Sequence, residues 1–193
     1  METKNLKSKL KSKPQPNKLN LGCGQRIMKG YVNLDFLKLD GVDVVHNLEK
    51  FPWPFKDNTF DEVYTSHVLE HLSDLVKVMT ELRRICKNHA KIRIIVPHFS
   101  CGNAYRDPTH KHNGFSLFTF DYFTDKSFYQ LPQFKIIKRK PNFIGQEFAS
   151  SFFIKSINNI FNSIVNLNQK IYERFFCWIF PVYEIYIELE VIK

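Results

Sequence analysis

The sequence has few of the features that mark secreted and membrane proteins. Its four cysteines form no CxxC pair and no disulfide-like spacing, a pattern typical of free thiols in a reducing compartment. The N-terminus has no apolar stretch of the signal-peptide kind, and the longest apolar runs, such as residues 175–181, are far shorter than a bilayer span. We therefore expect a cytoplasmic chain without a transmembrane segment.

Size and charge point to one globular domain with a basic extension. The chain has 193 residues, of which 44% are hydrophobic and 15% aromatic. Residues 1–18 contain six lysines against one glutamate and so carry +5 of the net charge of +9. Because this segment has no apolar periodicity, we predict a disordered basic tail over 1–18, which is either solubilising or a contact for RNA or an anionic membrane.

Short apolar segments separated by turn-forming residues predict an α/β fold. The predicted strands are residues 18–21, 31–34, 42–46, 60–65, 91–96, 134–138 and 185–192, and helical spacing predicts a helix over 66–86. This order indicates a shortened Rossmann-like sheet, mostly parallel with an antiparallel edge strand. Since only about ten residues join each of the first three strands to the next, this half of the sheet should lack its usual crossover helices.

Residues 145–180 form a predicted helical insertion before the last strand. Their apolar side chains recur at intervals of three and four residues, which is typical of one or two amphipathic helices. We expect this stripe to pack against the sheet or against a second copy in a homodimer. A substrate lid or a membrane-surface contact is the alternative. The main domain is accordingly predicted over residues 19–193.

A glycine turn and an acidic residue mark a candidate nucleotide site. The turn Gly22-Cys23-Gly24 follows the first strand and lets the backbone approach a ligand at the sheet edge. Asp35 ends the next strand, where a carboxylate can accept hydrogen bonds from both hydroxyls of a ribose. The separation of 13 residues from Gly22 to Asp35 is shorter than the roughly 20 of a dinucleotide-binding unit. An NAD-dependent hydride-transfer enzyme is therefore disfavoured.

These segments, read with the Pro-rich turn at residues 51–55 and the sequence FDEVYTSHVLEHL, resemble the class I S-adenosylmethionine-dependent methyltransferases over residues 18 to about 100. The resemblance implies a methyltransferase sheet and S-adenosyl-L-methionine as cofactor. It also implies a set of cofactor-binding residues along the edge of that sheet. They are Leu21, Gly22, Cys23 and Gly24 near the methionine part, Asp35 at the ribose, Asn47 and Leu48 beside the adenine, and Ser66 and His67 beneath the sulfonium.

Histidines are concentrated after the fourth and fifth predicted strands. His67 and His71, four residues apart, would share one face of the predicted helix. The cluster is reminiscent of metal-dependent RNA 2′-O-methyltransferases, but the same pattern occurs in similar methyltransferases without a metal. We therefore predict a packing or hydrogen-bonding role and no metal. The loop after the fifth strand adds His98, Asp107 and His110 at the edge where open α/β sheets bind ligands.

The sequence thus predicts a methyltransferase that acts on a small-molecule or glycan-like acceptor, most simply on oxygen. A hydroxyl acceptor must lose its proton, and a histidine with a near-neutral pKa suits that task. The candidate catalytic residues are His110, His71, His98 and Asp107. Two alternatives are metal-assisted methylation of RNA, which the basic tail favours although no RNA-binding module is recognisable, and a protein that binds the cofactor without turnover.

Overall fold

A computed structural model shows a central seven-stranded mixed sheet and describes residues 17–125, 128–129, 131–145 and 151–193. The strands are β1 (Lys18–Leu21), β2 (Val32–Asp35), β3 (Val44–Val45), β4 (Phe60–Ser66), β5 (Cys86–Pro97), β6 (Phe134–Asn142) and β7 (Glu184–Val191). Their order across the sheet is β3-β2-β1-β4-β5-β7-β6. Strands β1 to β5 pair in parallel, and β7 runs antiparallel between β5 and β6. The predicted α/β class and mostly parallel sheet are confirmed, with the antiparallel strand one place in from the edge.

The first half of the sheet is trimmed, as its short linkers predict. Within residues 17–66, no helix joins one strand to the next. The Pro-rich turn covers this part of the core instead, because Trp53 is only 2% exposed. Its backbone N–H donates to Glu81 Oε2 at 2.8 Å, and its indole N–H donates to the Leu48 carbonyl at 3.0 Å. Both polar groups of this buried tryptophan are therefore satisfied.

The helix predicted over 66–86 is wrong in its first half. The structure has a single 3₁₀ turn at Leu69–His71, and the helix α1 spans only Leu75–Ile85. At the end of β4 the backbone of His67 adopts a left-handed conformation (φ 54°), and its N–H donates to the Ile95 carbonyl at 2.9 Å. Because a left-handed residue interrupts a right-handed helix, the chain turns sharply here. His67 and His71 consequently do not share a helix face.

Helix α1 begins where its sequence offers a capping group. The Asp74 carboxylate accepts a hydrogen bond from the Lys77 N–H at 3.0 Å, which satisfies one of the free donors of the first turn. Upstream of this cap, Leu69 and Leu72 are buried although they lie outside the helix. Their spacing is therefore compatible with both conformations, and apolar periodicity alone cannot locate the start of α1.

The remaining helices lie between β5 and β7. They are α2 (Asn103–Arg106), a 3₁₀ segment at Thr119–Phe123, α3 (Phe152–Leu167), and two short turns at Gln169–Ile171 and Tyr172–Phe176. Helix α3 packs on β6, and its Asn162 and Val165 are buried. The predicted helical character of 145–180 is confirmed for its described part; residues 146–150 lie outside it. The limits of the 19–193 domain stay a prediction.

Two other expectations concern the tail and the membrane. Residues 1–16 of the predicted basic tail lie outside the described residues, whereas Lys18 already belongs to β1 and forms an ion pair with Glu62 at 3.3 Å. In the described part of the chain, every helix is too short or too polar to cross a bilayer.

A partly buried carboxylate fastens the segment before β7 to the chain that follows β5. Glu173 accepts hydrogen bonds from Ser116 Oγ at 2.8 Å and from the Leu117 N–H at 2.6 Å. The ring of His98, which is fully buried, lies 3.2 Å from the same carboxylate. Burial acts to raise the pKa of Glu173, but these hydrogen bonds and the nearby His98 outweigh it and hold the pKa below the ordinary 4.5.

Glu173→Gln is expected to lower the free energy of unfolding at pH 7 by about 1.5–3 kcal/mol, the range for hydrogen bonds to a charged group. A carboxyl group whose pKa is lower when folded stabilises the protein above its unfolded pKa, and loses this contribution as the pH falls through the folded pKa. The advantage of the wild type over the variant should therefore shrink below about pH 4.5. Urea unfolding at pH 7 and pH 3.5 measures this stability difference between the wild type and Glu173→Gln. A difference that does not change with pH would contradict a stabilising role for the ionised carboxylate.

Candidate active site

The expected ligand-binding residues meet at one edge of the sheet. Strand register places the ends of β1, β2, β4 and β5 at this edge, because Leu21 pairs with both Leu34 and Thr65, and Ser66 pairs with Ile95. Strand β7 is antiparallel and so begins where the others end, with Glu184 opposite Pro97. Open α/β sheets bind ligands at the carboxyl ends of their parallel strands. The site is therefore built at this edge.

The structure brings the glycine turn and Asp35 into direct contact. The N–H of Gly24 donates to Asp35 Oδ2 at 2.7 Å, and the N–H of Leu37 donates to Oδ1 at 3.0 Å. Gly22 and Gly24 have φ angles of +66° and +50°, which glycine adopts without strain. The carboxylate thus ties the end of β2 to the turn that follows β1.

The geometry of this turn fits an adenosyl group. A side chain at Gly24 would meet nothing within 4 Å, so the backbone faces open space that a ligand can fill. Each oxygen of Asp35 accepts one hydrogen bond here and can accept another, as a ribose diol requires. The next two side chains, Phe36 and Leu37, are 67% and 48% exposed and offer apolar contacts for a purine. The residues present are therefore suited to S-adenosylmethionine.

The other predicted adenine contacts have local roles that the sequence did not reveal. Asn47 is exposed, and its Oδ1 accepts the N–H of Glu49 at 2.9 Å, which forms an Asx turn. Leu48 is buried. Ser66 ends β4 next to His67. Contacts of Asn47, Leu48 and Ser66 with the cofactor stay predictions.

His67 lies between two buried carboxylates. Its Nε2 is 3.2 Å from Glu184 Oε2, and its Nδ1 is 3.3 Å from Glu70 Oε1. Burial acts to lower the pKa of His67, but the interactions with Glu184 and Glu70 outweigh it and raise the pKa to about 9. At neutral pH this side chain is therefore a cation. Because the ring already carries both protons, it cannot take a proton from the hydroxyl of a methyl acceptor. It can attract a negatively charged group near the Gly22-Cys23-Gly24 turn.

Glu184 is a site residue that the sequence did not reveal. Strand β7 alternates apolar residues with Tyr186, Glu188 and Glu190, and Glu184 is in register with these outward residues. It is nevertheless only 3% exposed, because His67 and Asn142 Nδ2, the latter at 3.0 Å, cover its carboxylate. A glutamate directly before an alternating strand gives no sequence signal for such a role.

A cleft of about 600 Å³ opens beside His67. It is lined by residues from the 67–71 segment and from the 103–110 loop, together with Pro97 and Tyr183. Of the predicted catalytic residues, His71, Asp107 and His110 line this cleft. The backbone of Glu70 brings them together, because its carbonyl accepts the N–H groups of Lys111 and His112 at 2.7 and 3.0 Å.

Hydrogen bonds set the tautomers of the two cleft histidines. Thr109 Oγ1 donates to Asp107 Oδ1 at 2.6 Å, so it can accept the Nδ1–H of His71 at 3.0 Å. His110 Nδ1 lies 3.1 Å from the Ala104 carbonyl, which can only accept. When either ring is neutral, its proton therefore lies on Nδ1, and Nε2 carries the lone pair.

His98 is separated from the other candidates. Its Nδ1 accepts the Ser100 N–H at 3.2 Å, and its Nε2 lies 3.2 Å from Glu173. Since the ring is fully buried and both nitrogens are engaged, it has no access to the cleft. His98 thus helps to attach the turn at Tyr172–Phe176 to the chain that follows β5.

Comparisons with known proteins agree with this fold. A methyltransferase from Archaeoglobus fulgidus described as SAM-dependent superposes with a TM-score of 0.52 at 20% identity, covering 92% of this chain and 86% of that one. Phosphoethanolamine N-methyltransferase 2 of Haemonchus contortus, solved with S-adenosyl-L-methionine, superposes with a TM-score of 0.51 at 13% identity, covering 92% and 48%. These similarities show the fold. Residues 19–94 match the family model of a methyltransferase domain.

The matched segment, 76 of the 193 residues, is therefore similar to a methyltransferase domain. An uncharacterized protein of Methanocaldococcus jannaschii is 54% identical to this chain over 43 residues, which is 22% of this chain and 19% of that protein. The match therefore spans about a fifth of the relative's length.

Asp35→Ala is expected to weaken binding of S-adenosylmethionine to this chain by about 1–3 kcal/mol, the cost of leaving buried polar partners unsatisfied. The variant loses both the acceptor for the ribose and the hydrogen bond to Gly24. Isothermal titration calorimetry measures the affinity, with Asp35→Asn as the matched variant of equal size. An unchanged affinity of Asp35→Ala would remove Asp35 from the binding site.

Proposed function

We propose that this chain is an S-adenosylmethionine-dependent methyltransferase that transfers a methyl group to a hydroxyl of a small-molecule or glycan-like acceptor held in the cleft between His67 and His110. One observation carries the proposal: the hydrogen bonds on Nδ1 make Nε2 the acceptor nitrogen of both His71 and His110, in a cleft that also includes His67 at the end of β4. The deprotonation of a hydroxyl requires such an acceptor.

When bound, S-adenosylmethionine supplies a methyl group on a sulfonium, and its transfer leaves the thioether S-adenosylhomocysteine. The protein binds the acceptor so that its oxygen attacks in line with the breaking C–S bond. His110 Nε2 takes the hydroxyl proton, while Ala104 holds the ring through Nδ1. Thr109 and Asp107 orient His71 in the same way. Thr109 also keeps the pKa of Asp107 low, so that this carboxylate remains ionised.

The size and polarity of the cleft support an acceptor of modest size. Its volume of about 600 Å³ is within the roughly 300–1,000 Å³ of small-molecule sites. Histidine, carboxylate and amide groups converge on it, and the exposed Arg106 adds a cation at its mouth. Such a lining suits a hydroxyl-rich molecule better than an apolar one.

The proposal is tested by transfer of a labelled methyl group from S-adenosylmethionine to a panel of sugars, hydroxylated metabolites, amines and RNA. We expect product only with hydroxyl acceptors of small size. Labelled amines would overturn the choice of oxygen, and labelled RNA would overturn the acceptor class. Calorimetric titration with S-adenosylhomocysteine controls for a competent cofactor site.

The proposed setting is the cytoplasm. All four cysteines are free thiols, and Cys23, Cys86 and Cys177 are buried. This state suits a reducing compartment.

The homodimer through residues 145–180 stays a prediction, and the exposed apolar face of α3 supports it. Phe153, Ile164 and Leu167 are 72%, 57% and 84% exposed, and contiguous apolar patches of this kind mark interaction surfaces. The double variant Ile164→Glu with Leu167→Glu is expected to convert a dimer into a monomer. Sedimentation velocity measures this, with the same substitution at exposed Asn159 as control. A wild-type protein that is monomeric at all concentrations would contradict the prediction.

A further inference from the structure

We propose that Glu70, His71 and His110 bind a divalent transition-metal cation, which holds the acceptor hydroxyl. One carboxylate oxygen and one ring nitrogen from each histidine lie within 4.8 Å of one another. Two nitrogen or oxygen ligands of a tetrahedral cation, each at about 2.0–2.1 Å, are separated by about 3.3 Å. Small side-chain rotations therefore bring all three ligands onto one ion.

The hydrogen bonds behind the two histidines match those of metal ligands. A metal-binding histidine almost always donates its second ring nitrogen to a carbonyl or carboxylate, which fixes the tautomer and aims the lone pair. His110 donates to the Ala104 carbonyl, and His71 donates to Thr109, which in turn donates to Asp107. Both rings are thus held with Nε2 ready to bind a cation. A general base requires only one histidine oriented in this way, whereas two oriented histidines are expected of a metal site.

Glu70 provides the independent observation. Its residue is only 1% exposed, yet neither carboxylate oxygen has a hydrogen-bond partner among the described residues. Oε1 lies 3.3 Å from His67 Nδ1, which pairs the charge, but Oε2 has no hydrogen-bond partner among the described residues. A buried polar atom without a hydrogen bond is costly, and coordination of a metal would remove this cost. A cation beside His71 and His110 satisfies this group.

Two imidazoles and one carboxylate suit Zn²⁺ and chemically similar ions such as Co²⁺, and three protein ligands leave a position open to the cleft. Given the proposed methyl transfer to oxygen, an acceptor hydroxyl in that position is acidified by the ion and releases its proton to solvent, as metal-bound water does. His110 is then a ligand of the ion and no longer the base. This reverses the expectation of no metal from the sequence.

Titration of the metal-free full-length protein with Co²⁺, in the absence of cofactor and acceptor, tests the proposal. We expect one Co²⁺ per chain, seen as visible absorption bands, and displacement by Zn²⁺. Glu70→Gln, His71→Ala and His110→Ala should each lower the affinity by more than about 100-fold, since even changes in the groups that hydrogen-bond to metal ligands cost about 10–100-fold. Thr109→Val, an isosteric change in an exposed residue that positions His71 without binding the ion, should cost about 10–100-fold.

His89→Asn is the matched control. His89 is an exposed histidine in the N-terminal part of β5, on the opposite edge of the sheet, and asparagine tolerates its left-handed backbone (φ 62°). It should bind Co²⁺ like the wild type. Binding of S-adenosylhomocysteine reports whether each variant is folded. Absence of stoichiometric Co²⁺ binding, or equal affinity in all variants, would overturn the metal site. Because the titration needs no methyl transfer, its outcome is independent of whether the acceptor is a hydroxyl.

Discussion

Replacing His110 with alanine is expected to lower the rate of methyl transfer by about 100- to 10,000-fold while leaving the affinity for S-adenosylmethionine within about twofold. The rate falls because the cleft loses the Nε2 that takes the proton or holds the ion, and a positioned acid–base group contributes this factor. The affinity is retained because the cofactor turn lies at the ends of β1 and β2, and His110 belongs to the loop after α2. Single-turnover rates and calorimetry measure the two quantities separately.

The His110 variant also distinguishes the two roles of this ring. If His110 is only a base, the variant keeps Co²⁺ binding, and raising the pH or adding free imidazole restores part of its rate. If it is a ligand, the variant loses Co²⁺ binding and methyl transfer together. Free imidazole then cannot restore the rate of methyl transfer by accepting a proton alone. His89→Asn controls for the loss of a histidine. Full activity of His110→Ala would exclude both roles.

Gly22→Ala is expected to lower the free energy of unfolding by about 2–5 kcal/mol and to abolish measurable cofactor binding. Two effects add. A residue with a side chain at φ +66° costs about 1–2 kcal/mol. The new methyl group would also lie 2.4 Å from Val68 Cγ2, and overpacking of this kind costs about 1–3 kcal/mol. The turn must therefore move, and its hydrogen bond between Gly24 and Asp35 moves with it.

Two further variants separate these effects. Adding Val68→Ala to Gly22→Ala removes the two closest contacts, leaves Val68 Cβ at 3.2 Å and does not relieve the backbone strain, so a double-mutant cycle should show a favourable coupling of about 1 kcal/mol or more. Gly24→Ala has φ +50° and open space around its side chain, so it should cost only about 1–2 kcal/mol of stability while still weakening cofactor binding. Urea unfolding and calorimetry give both quantities. A Gly22→Ala protein as stable as the wild type would show that the contact with Val68 is not tight.

Several parts of the fold follow from local patterns. Strands β1, β2, β4 and β7 lie within a residue or two of their predicted limits, because short apolar or alternating runs favour one conformation. The linker lengths also predicted the missing helices, since a chain of about ten residues cannot hold a crossover helix. Strand β3 is shorter than predicted, with only Val44 and Val45 paired.

The segment 66–74 shows where local patterns fail. Its leucines have helical spacing, but His67 is held in a left-handed conformation by partners far along the chain, Ile95 and Glu184. Such long-range contacts override helix propensity. The same contacts explain why the charge of His67 could not be foreseen, since its pKa depends on Glu184, 117 residues away in sequence.

The sequence by itself determined the cofactor edge: a strand, a glycine turn and an acid at the end of the next strand are close in sequence, and parallel pairing of adjacent strands leaves them no other place. Only the tertiary structure decided which groups line the cleft. The carbonyl of Glu70 binds the backbone of Lys111 and His112, so residues about 40 positions apart form one cleft. Packing excludes His98 from this cleft and brings His110 to His71 and Glu70. The physical reason is that backbone patterns are local, whereas the side-chain chemistry of a site depends on contacts made after the chain has folded.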